Sequence, residues 1–426
     1  MDKKQMQMVI DYIEDYLKTD IQAEELACMA GYSVFHFYRL FMMATGMPVM
    51  QYVQRRRMLH AVWEIRSGKR RIDVILEYGF DTYAGFYRAF RSAFSCTPSQ
   101  YLKMNRAKRP YRLDLSKEEV MHLSHKMAKE LLKHWQMEKE PVQDIFYENT
   151  GNRNENAYYV GDNYVLKFSG NLGKVRSNID LAAAMKEAGL NAAVAIRTRD
   201  GEEYIQHAGL YVYLTRRLKG RQMNALAAYQ PETAAFIGEI IGVLHKSMKE
   251  KDALLEEKDF YGTVCGWAME SQAVKDVFGE EFLAGMKKDF GMLYQTLPRQ
   301  CIHRDPNPGN IIVQDAENWG FIDFELSEKN IRLYDPCYAA TAVLSETFET
   351  IQRENWFGVY QNILAGYDRV AHLTKEEKKA APYVVLGNQM ICLAFFSGNE
   401  KFAQVYETNR LMTKWLKENM AQLQIK

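Results

Sequence analysis

The sequence predicts a multidomain chain in two parts: an all-α region built from two helix-turn-helix units, then a larger, bilobal α+β region. Three observations predict it. The pattern Ser33-x-x-x-Phe37-x-Arg39-x-Phe41 returns 49 residues later as Thr82-x-x-x-Phe86-x-Arg88-x-Phe90, each copy preceded by a short helical segment and a glycine. Residues 141–169 alternate with the period of strands. The run CIHRDPNPGNIIVQDAENWGFIDFE, Cys301 to Glu325, sets three oxygen-bearing side chains on a tight loop and the strand that returns from it.

At 426 residues the chain is long enough for two or three domains, and its 47% hydrophobic content can fill sizeable cores. The net charge of +1 conceals a division. Residues 1–110 carry 17 Lys and Arg against 11 Asp and Glu, and the remainder 38 against 43, so the first part is the basic one. Six scattered cysteines with no Cys-x-x-Cys pair read as buried thiols in a reducing compartment. Acidic residues interrupt the apolar pattern of the first 17 residues, which excludes a signal peptide. The most apolar window, Tyr383 to Phe396, is broken by Gly387, Asn388 and Gln389 and is too short for a bilayer. A cytoplasmic protein is expected.

Taken in order, residues 7–18 form an amphipathic helix with Met8, Val9, Tyr12, Ile13, Tyr16 and Leu17 at helical spacing. In each repeat Ser33 or Thr82 caps the second helix, Gly31 or Gly79 permits the bend, and Phe37 with Phe41, or Phe86 with Phe90, forms the buried stripe. The helix Val49 to Arg66, stopped at Gly68, holds the two units at the fixed separation that reading adjacent major-groove segments requires. Phe35, His36, Tyr38 and Arg39 in the first unit and Tyr83, Tyr87, Arg88 and Arg91 in the second are candidates for DNA contact, with Ser33 and Thr82 at the helix starts. Arg55, Arg56, Arg57, Arg70 and Arg71 are phosphate anchors or solvated surface.

Residues 5–106 resemble the DNA-binding domain of the AraC/XylS family. The matching residues are Leu26-Ala27, Ala30, Ser33, Phe37, Arg39, Phe41, Gly46-x-Pro48 and Tyr52, then Gly79-Phe80, Phe86, Arg88, Phe90, Thr97-Pro98 and Tyr101. The chain departs from that pattern at Ile75 and Ser95, neither on the expected DNA face, and Gly85 weakens the second recognition helix by up to about 1 kcal/mol.

Lys103 to Leu115, basic and containing Pro110, reads as a linker. A helix follows from Ser116 to about Met137, with a capping box at Ser116 and Glu119. Between strands, Thr150 to Tyr159 reads as a polar loop in which Asn154 and Asn156 are candidate nucleotide contacts, and Lys167 on the next strand is the candidate phosphate-binding cation.

In the Cys301–Glu325 run, a hydroxyl attacking a γ-phosphate needs a carboxylate to orient it and take its proton, which fits Asp305 on a loop tightened by Pro306, Pro308 and Gly309. Mg prefers oxygen ligands, and Asn310 and Asp323 supply them once Ile311–Val313 and Phe321–Phe324 pair as a hairpin. HRDPNPGNII, GFIDFE and YDPCYAA resemble the aminoglycoside phosphotransferase and choline kinase family, relatives of the protein kinases, with Asp335-Pro336 matching the family's second Asp-Pro. Arg304 stands where many members carry Gly. Glu325 stands where protein kinases carry Gly, and no Ala-Pro-Glu segment follows Asp323, which sets a protein kinase aside. The resemblance implies a protein-kinase-like fold using ATP and Mg, with Asp305 as base, Asn310 and Asp323 as metal ligands and Lys167 on the phosphates. It also implies an adenine-holding strand and hinge at Tyr211–Gly220, a helix Ala234–His245 beneath the catalytic loop, and acceptor-pocket helices after Pro336. For the glutamate that partners the lysine, alignment on Ala188-Gly189 offers only Asn178, with Asp180 and Glu187 nearby.

The expected organisation is a DNA-binding domain over 1–108, a linker with a helix over 109–140, an N-lobe over 141–220 and a C-lobe over 221–426. The expected function is a bacterial transcriptional regulator on double-stranded promoter DNA, joined to a domain that phosphorylates or senses a small hydroxylated molecule. Two alternatives stay open: a small-molecule phosphotransferase with a secondary head, and a regulator whose kinase fold only binds ligand. No membrane partner is expected, and the chain is open to pairing as a homodimer.

Overall fold

The structure, a computed structural model, describes residues 3–45, 47–94, 97–103, 110, 112, 113, 115, 123–146, 153–249, 251, 255–397 and 403–425. The chain divides into two compact units, Met1–Val175 with Ala195–Arg217 and Arg176–Val194 with Leu218–Lys426.

The first unit opens with seven helices: α1 (Lys3–Asp15), α2 (Ala23–Met29), α3 (Val34–Thr45), α4 (Val49–Arg66), α5 (Arg71–Glu77), α6 (Tyr83–Phe94) and α7 (Pro98–Lys103). The two expected helix-turn-helix pairs are α2/α3 and α5/α6. Gly31 and Gly79 sit at φ 71° and 78°, where a side chain would strain the backbone. This left-handed step lets Tyr32 N–H and Phe80 N–H bond back to Ala27 O and Ile75 O at 3.0 and 3.1 Å, closing both helix ends. Phe37, Phe41, Phe86 and Phe90 are fully buried, and α4 contributes Val53, Ala61 and Val62 to the same core. The first helix ends at Asp15, so Leu17, though buried, lies beyond it.

The head does not stop at the expected boundary near residue 108. Leu113 and Leu115 join its core, and Gln7 ties them to α1 by donating to Leu113 O at 2.8 Å and accepting from Leu115 N at 2.7 Å. Arg112 pairs with Asp11 and Asp15. The expected Ser116/Glu119 capping box lies outside the described residues. The described helix here is α8 (His125–Leu131), capped by Ser124, whose Oγ accepts from Met127 N at 3.2 Å.

Next come β1 (Val142–Phe146), β2 (Arg153–Val160) and β3 (Tyr164–Ser169). Helix α9 (Leu172–Glu187), from Arg176 onward, and β4 (Asn191–Ala192) belong to the second unit. The chain then returns for β5 (Ala195–Ile196), β6 (Ile205–His207) and β7 (Leu210–Arg216). The sheet runs β1-β2-β3-β7-β5, with β6 also on β7. One of its faces packs Tyr158, Leu166, Phe168, Val212 and Leu214 against Leu131, Leu132 and Trp135.

The second unit is mostly helical. It contains β8 (Arg221–Gln222), α10 (Pro231–Met248), α11 (Phe260–Gly266), α12 (Gln272–Phe278), α13 (Glu280–Tyr294), β9 (Arg299–Ile302), β10 (Ile311–Val313), β11 (Trp319–Phe321) and β12 (Glu328–Ile331). Then follow α14 (Tyr334–Thr347), α15 (Trp356–Ala371), α16 (Lys375–Phe396) and α17 (Ala403–Glu418). Strands β4-β11-β10-β8 form one sheet and β12 pairs with β9. Helices α10 and α15 touch backbone to backbone: a Cβ on Gly238 would fall 1.9 Å from Ile363 O, and one on Gly366 would fall 2.0 Å from Ala235 O.

Helix α16 is longer than its apolar window suggested. Among the described residues it is the one helix long and apolar enough to cross a membrane, yet 61% of its most apolar window is buried inside the molecule. It also buries Asn388, Gln389 and Glu377, the last paired at 2.8 Å with the half-buried Arg332, which marks a core helix of this unit. The expectation of buried thiols fails at Cys28, which is exposed, while Cys265, Cys301 and Cys337 are buried; all the described cysteines are free.

Candidate functional site

The catalytic-loop motif begins where β9 ends. Asp335, wholly buried at the start of α14, accepts from His303 N–H at 2.8 Å, from Arg304 N–H at 3.0 Å and from His245 Nε2 at 2.9 Å. A carboxylate can only accept here, so Nε2 carries the His245 proton and Nδ1 receives the Tyr367 hydroxyl, 2.8 Å. Gln300 Nε2 donates to His245 O at 2.8 Å, which seats β9 on α10. The helix expected beneath the loop is therefore there. His303 binds the loop to the hairpin: Nε2 donates to Ile322 O at 3.0 Å and Nδ1 accepts from Asp305 N–H at 3.3 Å.

Within this frame Asp305, Asn310 and Asp323 come together. Asn310 Nδ2 donates to Asp305 O at 2.9 Å and to Asp305 Oδ2 at 3.1 Å, and Asn307 Nδ2 donates to Oδ1 at 2.7 Å. Ile322 N–H bonds Asn310 O at 3.0 Å, so Asp323, the next residue, emerges beside Asn310. The returning strand ends earlier than expected, at Phe321. Asp323 follows it at φ 72°, and Phe324–Leu326 form a single 3-10 turn. Left-handed backbone at a non-glycine residue costs roughly 1–3 kcal/mol and persists where surroundings enforce it. Here α9 enforces it: Asn178 Oδ1 accepts from Phe324 N–H at 2.9 Å, and Ser177 Oγ donates to Phe324 O at 3.1 Å.

Burial pushes the Asp305 carboxyl above its ordinary range, against the Asn307 amide, the Tyr338 hydroxyl and His303; the Asp323 charge also pushes it up. A carboxylate so perturbed is a better proton acceptor. Asn310 spends its amide nitrogen on Asp305, leaving its carbonyl oxygen to ligate. With the Asp323 carboxylate this is a hard-oxygen donor pair, which suits Mg bound jointly with phosphate oxygens. Among the described residues no group of three or more His, Cys, Asp or Glu could hold a metal unaided.

Lys167 lies in the first unit, half-buried on β3 and paired in register with Ala157 and Tyr213. Two expectations need correction here. Residues 153–160 are strand β2, and the expected loop is left with residues 150–152, outside the described ones. The pairing of β2 with β3 starts at Ala157, and the β1 register shifts between Tyr158 and Arg153, so neither Asn154 nor Asn156 is paired opposite Lys167; Asn154 Oδ1 instead accepts from Asn156 N–H at 2.9 Å. Polar composition suggested a loop, but pairing with β1 and β3 outweighs it.

In the head, Ser33, Phe35, Arg39, Thr82, Arg88 and Arg91 are exposed, Phe35 to 85%, while His36, Tyr38, Tyr83 and Tyr87 are half-buried. Thr82 caps as expected, its Oγ1 accepting from Gly85 N–H at 3.0 Å. Ser33 enters α3 through its carbonyl, which accepts from Phe37 N–H at 2.8 Å. Three of the four arginines of α4 are internal braces. Arg55 lies over the Phe94 ring, Arg56 pairs with Glu14 at 2.5 Å, and Arg57 donates to Leu17 O and Thr19 O.

Fold and loop together define a protein that carries a kinase-like phosphotransferase domain behind a double helix-turn-helix head. The chain belongs to the phosphotransferase enzyme family, whose model matches residues 149–373, and residues 26–104 match that of a helix-turn-helix domain. The head is 36% identical over 94 residues to the Transposon Tn10 TetD protein of Escherichia coli, covering 22% of this chain and 68% of that one. It is 31% identical over 97 residues to the regulatory protein SoxS of Salmonella typhimurium, covering 22% and 91%. A microcompartment-associated aminopropanol kinase aligns at TM-score 0.53 and 14% identity over 71% of this chain and 99% of its own. An amicoumacin kinase, solved with AMP-PNP and Ca2+, aligns at TM-score 0.52 and 14% identity, over 68% and 92%. At these identities the structural matches show the fold alone.

Sequence reasoning noted His245 and Asp335 only as family matches and did not give them or His303 their joint role. The signals were the His of His-Arg-Asp, the Asp-Pro pair and the Leu-His ending of α10. Tyr338 lies within the YDPCYAA match, but nothing in its spacing signals that it faces Asp305.

Proposed function

We propose that this chain is a cytoplasmic bacterial transcriptional regulator that binds double-stranded promoter DNA through its head and transfers the γ-phosphate of ATP to a small hydroxylated molecule through its body. The convergence of Asp305, Asn310 and Asp323 on one loop and its hairpin supports the enzymatic half most directly. In this reading Asp305 orients the acceptor hydroxyl and takes its proton. The acceptor oxygen forms a bond to the γ-phosphorus as the bond to the ADP oxygen breaks. Bound Mg, held by Asn310 and Asp323, would neutralise charge on the phosphate oxygens. Lys167 supplies a cation for the nucleotide phosphates.

A panel of an aminoglycoside, a macrolide, choline and a sugar, each with γ-labelled MgATP, tests this. Transfer to one acceptor that falls by about 100- to 10,000-fold in Asp305→Ala is expected. Transfer that survives the substitution would remove Asp305 from the chemistry. A second reading, a sensor that binds ligand without turnover, draws support from Asn178. It stands where a glutamate is expected and its side-chain oxygen is used by Phe324. Ligand binding with no transfer to any acceptor is the outcome that reading expects.

A further inference from the structure

Arg304 occupies an expensive position. Its φ of 75° lies in the left-handed region that glycine adopts freely and a long side chain does not. Its backbone N–H is fixed by Asp335 Oδ1, and the next residue is Asp305. The side chain is held at two further points. Its Nε stands 2.9 Å from Glu328 Oε1, and its guanidinium lies 4.0 Å over the centre of the Tyr334 ring. Glu328 is itself fixed, paired with Ile302 where β12 meets β9. Tyr334 is buried, donates to Asn388 Oδ1 at 2.8 Å and stacks on Tyr338, with ring centres 5.6 Å apart and planes at 22°. The Tyr338 hydroxyl is turned to the Asp305 carboxyl. A circuit thus leaves the loop at Arg304 and returns to it at the adjacent residue.

We propose that Arg304 and Glu328 are positioning residues for phosphoryl transfer: their ion pair, backed by the Tyr334–Tyr338 stack, holds the Arg304 turn and so fixes the Asp305 carboxyl. This rests on the phosphotransferase reading of the site. A structural ion pair on a surface loop would be expected to move stability alone. This pair adjoins the base, and a misplacement of an ångström at a reacting group can lower a rate by up to about a hundredfold.

The test is a double-mutant cycle on the full chain, read as release of inorganic phosphate from MgATP with water as acceptor. Arg304→Gln, Glu328→Gln and the double variant are compared with wild type, with Asp305→Asn as the reference for loss of the base. Each single variant is expected to lower kcat roughly tenfold or more with the KM for ATP unchanged. The double variant is expected to be no worse than either single one, as for two groups acting through one contact. Arg304→Gly, whose backbone accepts this φ without strain, keeps the folded state if the glutamine variants do not. It is expected to retain the wild-type melting temperature and still lose kcat. Variants that match wild type in kcat, or losses that multiply in the double variant, overturn the clamp while leaving Asp305 in place. Equal phosphate release by wild type and Asp305→Asn, or none from wild type, overturns the site reading and the clamp with it.

Discussion

On the first recognition helix Arg39 is exposed and, among the described residues, is hydrogen-bonded only to His36, whose Nδ1 lies 3.1 Å away, so its guanidinium remains available to an anion. A phosphate contact displaces counterions, and each one lost flattens the salt dependence of binding. Arg39→Ala is expected to weaken binding to promoter DNA across sequences and to reduce the slope of log K against log salt by about 1; titration at three salt concentrations measures both. Arg55, Arg56 and Arg57 of α4, braced inside the head, should not behave this way. Motif spacing made Asp305, Asn310 and Asp323 legible because loop length and chemistry jointly constrain them. It left the left-handed backbone of Arg304 and Asp323 unseen, because φ at those positions depends on Asp335 and Asn178, 31 and 145 residues away in sequence.

Among elements, the repeat was the most legible feature: the glycine bends and phenylalanine stripes recur, and both are local. Strand β2 was the least legible, since its polar residues resemble a loop until pairing with β1 and β3 is known. Packing of α1 on α4 centres on Glu14. Burial alone would raise its carboxyl, but hydrogen bonds and charge from His60 and Arg56 prevail and take it from the ordinary 4.5 to about 2. With the folded value below the unfolded one, the unfolded state binds more protons in this window. The contribution, about 3 kcal/mol, is complete above pH 4.5 and is lost as pH falls towards 2. Acid unfolding should show this as a loss of head stability between those values, and Glu14→Gln should flatten the profile there.

For the whole molecule, the head's core takes in Leu113 and Leu115 from the segment that composition marked as linker. A fragment ending at residue 103 loses Leu113 and Leu115 from the core, a deficit of about 3 kcal/mol. It should melt on the order of 10 °C below a fragment ending at residue 116, as thermal unfolding followed by circular dichroism would show. Equal melting temperatures would mean that the segment adds nothing to the head. In the body, the role proposed for Asn310 and Asp323, brought together by a loop and its hairpin, is to hold the metal of a bound nucleotide. Calorimetric titration of the full chain with ATP, with and without Mg, addresses it most directly. Wild type should bind ATP more tightly with Mg, and Asp323→Ala should bind equally with and without it. An Asp323→Ala protein that keeps the full Mg dependence would contradict the claim.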